Sequence, residues 1–120
     1  LLVDDEDVLA TMGRLMLERL GYKVIVKTDS YKALETFRSQ PDDFDLIISD
    51  KTMPRLTGFD LVEEVKKIRP DVPFIICTGY SDESETDKAA RLGINRLIVK
   101  PLSMDDLAGA VRSVLDDTAK

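Results

Sequence analysis

The chain contains no histidine. That absence excludes serine–histidine and cysteine–histidine catalysis, and zinc sites built on imidazole. Any metal bound here must sit among oxygen ligands, which favours magnesium, calcium or manganese. There is a single cysteine, Cys77, inside an apolar run. It cannot form an internal disulfide and fits a reducing, cytoplasmic setting. A basic excess is also missing. Lys and Arg number 17 against 23 Asp and Glu, a net charge of −6, so no nucleic-acid contact and no membrane contact is expected of this domain. No apolar run approaches the roughly 20 residues that cross a bilayer, and no secretory signal peptide is visible. Linkers, low-complexity tracts and internal repeats are absent as well, so residues 1–120 are expected to form one domain.

What the chain does have is alternation. Leu1-Leu2-Val3 reads as a first strand, expected to be truncated by the start of the chain, since strands typically run about five to six residues. Asp4-Asp5-Glu6-Asp7 follows, then a helix with apolar positions at Val8, Met12 and Leu15 and at Leu9, Met16 and Leu20, closed by Gly21. Val24-Ile25-Val26 is the second strand. Asp29 or Ser30 caps a second helix carrying Ala33, Leu34 and Phe37, which stops before Pro41. The central strand, Leu46-Ile47-Ile48, has the β-branched richness of a strand buried on both faces, and Asp50 stands at its carboxyl end.

Pro54 and Gly58 shape the next loop, and a third helix follows with Phe59, Leu61, Val62, Val65 and Ile68 facing inward. Phe74 to Thr78 is the fourth strand. Ser81 to Leu92 is a polar, lightly anchored helix closed by Gly93. Leu97-Ile98-Val99 is the fifth strand, ending in Lys100-Pro101. Ser103 and Asp106 form a capping box for a last helix with apolar positions at Leu107, Ala110, Val111, Val114 and Leu115. Five strands alternating with five helices predict an α/β fold. The expected form is a doubly wound parallel sheet of order 2-1-3-4-5, flavodoxin-like, with helices on both faces.

Ligands of open α/β sheets bind outside the carboxyl ends of the strands. In this topology Asp4 and Asp5, then Asp50, Thr78 and Lys100 gather at that edge. Three carboxylates would repel one another without a positive charge between them. A hard divalent ion such as Mg²⁺, or Mn²⁺, supplies it through a few carboxylates while keeping sites for water and phosphate oxygens. Lys100 and the Thr78 hydroxyl suit the equatorial oxygens of a transferring phosphoryl group, with a carboxylate as acceptor. Singly, each residue has an ordinary explanation: acidic residues favour a helix N-terminus, threonine favours strands, and a lysine before proline is a solvated loop residue. Their coincidence at one sheet edge does not.

These residues carry a resemblance that covers essentially the whole chain. Val3-Asp4-Asp5-Glu6, Asp50 with Met53-Pro54 and Gly58, Thr78-Gly79 and Lys100-Pro101 together resemble the receiver domains of two-component response regulators. The resemblance implies that Asp50 is the phosphoacceptor and also contacts Mg²⁺. It makes Asp5 a direct metal ligand, lets Asp4 act mainly through water, and has the Thr52 backbone carbonyl complete the coordination. Thr78 and Lys100 would bind the phosphoryl oxygens. The donor would be a phosphohistidine on a histidine kinase or a histidine phosphotransfer domain. Output would pass through the face of helix 4, strand 5 and helix 5 to an attached or separate output domain, and a homodimer through that face is expected too. Where the family usually has Tyr or Phe on strand 5 as a switch residue, this chain has Leu97. Cys77-Thr78-Gly79-Tyr80-Ser81 is similar to receivers at the C-terminal ends of hybrid sensor kinases.

Three other readings remain to be weighed. An aspartate-nucleophile phosphatase of the haloacid dehalogenase class needs a second aspartate two residues after the first, where Thr52 stands, and a cap domain. A flavin module of the same fold binds phosphate after strand 1, where this chain is acidic. A receiver-like docking module independent of phosphorylation is the third.

Overall fold

The computed structural model describes residues 1–79, 83–100 and 103–118. Its elements are β1 (Leu2–Val3), α1 (Asp7–Arg19), β2 (Val26–Lys27), α2 (Ser30–Ser39), β3 (Ile47–Asp50), α3 (Gly58–Ile68), β4 (Phe74–Thr78), α4 (Glu83–Leu92), β5 (Arg96–Val99) and α5 (Met104–Thr118). The strands form one parallel sheet in the order β2-β1-β3-β4-β5. Parallel neighbours require a crossover between consecutive strands, and α1 to α4 supply the four.

Side chains alternate across a strand, and here the alternation sorts the apolar residues into two cores. Ile47, Phe74 and Ile76 face α2 and α3, packing with Phe37, Leu61, Val62 and Val65. Ile48, Ile75, Cys77 and Ile98 face the other way, against Leu17 of α1 and Leu107, Val111 and Val114 of α5. The β3–β4 ladder pairs Ile48 with Ile75 and Asp50 with Cys77, so the two central strands end together. Every residue of both strands is buried, as continuous apolar runs require.

Helix ends follow local chemistry. The Asp29 carboxylate accepts from the Tyr31 and Lys32 N–H groups and caps α2. A reciprocal capping box joins Thr57 and Asp60 at the start of α3. Asp106 N–H donates to the Ser103 hydroxyl at α5. Gly21 takes φ +97° just past α1, a left-handed conformation that stops the helix.

Three expectations need correction or limits. The second strand pairs at Val26–Lys27 rather than Val24–Val26, because its partner β1 offers Leu2 and Val3, opposite Val26 and Lys27. The predicted start of the fourth helix, Ser81 and Asp82, lies outside the described residues; from Glu83 the helix is as expected, with Ala89 its one buried residue among those described. The apolar spacing in α1 marked a helix but not its buried side. Ala10 and Leu17 are buried, whereas Val8, Met12 and Leu15 are 71%, 48% and 55% exposed. With apolar residues on several sides, packing against the sheet and α5 selects which of them are covered.

That difference is measurable. Leu17→Ala should cost about 2–5 kcal/mol of unfolding free energy, as buried leucine truncations do, while Leu15→Ala should cost under about 1. Comparable losses in urea unfolding of the two variants would contradict this placement of α1.

Candidate functional site

The ends of β1, β3 and β4 and the residue after β5 meet at one edge of the sheet. Asp4 follows β1, Asp50 ends β3, Thr78 ends β4 and Lys100 follows β5. Asp4, Asp50 and Thr78 are buried, and Asp5 is exposed at the rim. Carboxylate oxygens of Asp4, Asp5 and Asp50 all lie within 4.8 Å of one another. The Lys100 ammonium stands 3.0 Å from Asp50 and 3.8 Å from Asp4. Thr52 lies in the exposed loop after β3, and Leu97 is half-buried on β5, packed against the α2–α3 side of the core. Sequence-predicted Asp4, Asp5, Asp50, Thr78 and Lys100 are thus brought to the same edge, while Leu97 stays in the packing layer.

Local structure holds these groups still. The Asp4 carboxylate accepts from the Glu6 N–H at 3.0 Å, which turns the chain from β1 into α1. Lys51 N–H donates to the Cys77 carbonyl, and the Lys51 carbonyl accepts from Gly58 N–H, both at 2.8 Å. The buried Ser49 hydroxyl donates to the Asp50 carbonyl at 2.9 Å. Gly58 is required by closeness: a Cβ there would stand 2.5 Å from the Asp50 carbonyl oxygen and 2.9 Å from Ile76. The loop between β3 and α3 is also tied to α2. Arg55, at a left-handed φ of +67°, pairs with Asp29 and lies over the Tyr31 ring.

Charge is concentrated and partly desolvated. Burial pushes the Asp4 carboxyl above its usual range, and the Asp50 and Asp5 charges add to this against the pull of the Glu6 N–H and Lys100. Burial alone would lower Lys100, but the hydrogen bond and charge of Asp50, with the charge of Asp4, hold its pKa above the ordinary lysine value. Cys77, opposite Asp50 on β4, is pushed up to about 12 by burial and is no nucleophile at neutral pH. Three carboxylates against one lysine leave an excess of negative charge made only of hard oxygen donors. Such a set fits a small divalent cation. Beside it, a cavity of about 480 Å³ runs under α1, lined by Leu9, Met12, Met16 and Leu107 with Asp50 and Lys100 at one end.

Comparison with known proteins decides the family. A profile described as the response regulator receiver domain matches residues 1–112. The chain belongs to that family. Receivers generally bind Mg²⁺, and the Asp4–Asp5–Asp50 cluster could hold such an ion. This chain is 32% identical to the response regulator SaeR of Staphylococcus aureus over 115 residues, which is 96% of this chain and 49% of SaeR. It therefore spans about half the length of the curated relatives it matches. Among solved structures, a response regulator receiver domain protein from Clostridium thermocellum superposes with a TM-score of 0.92 at 30% identity, covering 98% of this chain and 94% of that one. A CheY-like receiver domain protein from Methanospirillum hungatei gives 0.90 at 26% identity, covering 98% and 93%. The family is a signalling domain rather than a conventional enzyme, and curated relatives such as SaeR extend well beyond the matched region.

Two residues of this receiver's site had no sequence signal. Ser49 reads as part of an apolar strand, and Lys51 reads as a loop lysine until its partner, Glu85 on α4, is seen 34 residues away.

Two outcomes test the geometry. Gly58→Ala should destabilise the fold by about 1–3 kcal/mol through overpacking against Asp50 and Ile76, read by thermal unfolding. Asp4→Asn keeps the oxygen that accepts from Glu6. The folded Asp4 pKa lies above its ordinary value of 3.8, so stability present below that value is lost as pH rises through the folded pKa. Asp4→Asn should therefore melt higher than the parent at pH 7, and the gap should close toward pH 3. A gap that widens on acidification would contradict the burial argument.

Proposed function

We propose that residues 1–120 form one receiver domain that takes a phosphoryl group onto Asp50. The observation carrying this reading is the Asp50 carboxylate, buried at the end of β3, with Lys100 at 3.0 Å and two more carboxylates beside it. In the transfer an Asp50 oxygen attacks phosphorus while the donor's N–P bond breaks. The product is an acyl phosphate, and the imidazole leaves with its electron pair. The chain's lack of histidine makes that donor another domain, a histidine kinase or a histidine phosphotransfer domain. Mg²⁺, or Mn²⁺, would be held by Asp5, Asp50 and the Thr52 carbonyl, with Asp4 acting through water. It would neutralise charge on the phosphoryl oxygens. Lys100 and the Thr78 hydroxyl would bind those oxygens from the other side. The same residues would position water for the domain's own dephosphorylation.

A donor must bring its phosphoimidazole to the open edge above Asp50. The apolar side of α1, where Val8, Leu9, Met12 and Leu15 are exposed next to that edge, suits its docking. Signal output would use the face of α4, β5 and α5, where Arg96 and Val99 are exposed. That face would serve an attached or separate output domain, or a second copy in a homodimer. Leu97 lacks a hydroxyl and would contribute packing only. No described helix is long and apolar enough to cross a membrane, in keeping with a domain that works in the cytoplasm, as part of a response regulator or of a hybrid kinase.

Incubation with acetyl phosphate and Mg²⁺ should add one phosphate that hydroxylamine releases. Asp50→Asn should lose the label, and a chelator should abolish labelling of the parent without unfolding it. Equal labelling of Asp50→Asn would refute the assignment, and undiminished labelling in chelator would refute the metal requirement.

A further inference from the structure

Directly after Asp50 the chain carries a second cation whose surroundings differ from those of Lys100. The Lys51 backbone is pinned between β4 and the start of α3 by the two hydrogen bonds described above. Its side chain turns to α4 and pairs with Glu85 in the first turn of that helix. Both side chains are largely covered, with 27% and 18% of their surface exposed. The helix they hold has little apolar anchorage. Ala89 is buried and Leu92 partly so, and Lys88 reaches over the Phe59 ring of α3 at 5.1 Å. A helix with so little buried apolar surface is more sensitive to nearby charge than α3, which buries Phe59, Leu61, Val62 and Val65.

We propose that the Lys51–Glu85 ion pair is a latch that fixes the first turn of α4 to the residue following the phosphoacceptor. This rests on the reading that Asp50 is phosphorylated. A phosphoryl group adds about 1.5–2 negative charges, here one residue from Lys51. It competes with Glu85 for the ammonium and so loosens α4. Because the latch favours the unmodified state, removing it must favour the phosphoryl-bound state by the same free energy. Lys51 and Glu85 are positioning residues in this scheme; neither is needed for the transfer itself.

The experiment uses beryllofluoride with Mg²⁺ as the probe and follows amide hydrogen exchange across Glu83–Leu92. Without probe, Lys51→Met and Glu85→Gln should each raise exchange in α4. The double variant should raise exchange by less than the sum of the two singles, since both remove the same ion pair. Lys51→Arg keeps the pair and should behave like the parent. Glu85→Gln, which leaves the Lys51 charge in place, should bind beryllofluoride roughly two- to fivefold more tightly, the scale of one partly exposed ion pair. Additive effects in the double variant, unchanged α4 exchange, or equal or weaker probe binding by Glu85→Gln would each overturn the latch. If the parent binds no beryllofluoride, the phosphoacceptor reading itself falls, and the competition with it. If the parent binds and Asp50→Asn does not, that reading stands, and the latch is judged on α4 exchange and on the affinity of Glu85→Gln.

Discussion

Like charges forced together at one edge of the sheet are the constraint on which this domain is built. Asp4, Asp5 and Asp50 would separate in solution, yet the sheet order and the equal ending of β3 and β4 leave them nowhere else to go. Lys100 offsets part of the repulsion at the cost of being partly desolvated itself. A site arranged this way is destabilised when empty and stabilised by whatever cation or cation-bound anion enters it. Function and stability are therefore opposed at this edge, and both cores beneath it must supply what the edge takes away.

Those cores also explain why the site is rigid where it must be. Asp50 is the last residue of a strand buried on both faces, and α3 approaches so closely that only a glycine fits at position 58. The Asp50 carbonyl is held by Ser49, and the following residue is bonded to both β4 and α3. On the other side of the same loop lies a helix with Ala89 as its one buried residue among those described, tied by the Lys51–Glu85 pair and by Lys88 over Phe59. The contrast between a clamped acceptor and a loosely held neighbour is what lets a local change of charge become a movement.

Much of this was legible in the chain. Ile47-Ile48 and Phe74 to Cys77 read as buried strands because the runs are short, β-branched and bounded by turn residues, and the strand-end rule then gathered Asp50, Thr78 and Lys100. The helix caps at Asp29 and Ser103 followed from side-chain chemistry a few residues long. What could not be read depended on phase or on distance. In α1 the period was visible, but which leucine faced the sheet was decided by packing against β1 and α5. The second strand begins two residues later and ends one later than its composition suggests, because its pairing is dictated by Leu2 and Val3. Pairs such as Lys51 with Glu85 and Arg55 with Asp29 join residues that only the finished fold brings together.

The lone thiol gives the domain a built-in clock. Cys77 is covered at 4% exposure, directly across the ladder from Asp50, and its proton is held so firmly that the closed form offers a reagent almost no thiolate. Modification must therefore wait for the helix layer of α1 and α5, against which the thiol packs, to lift from the sheet. With no other sulfhydryl in the chain to blur the signal, the time course of alkylation measures how often the core between the sheet and α1 and α5 opens beneath the acceptor. Any occupant of the edge that binds across these strand ends would lengthen that interval without touching the sulfur.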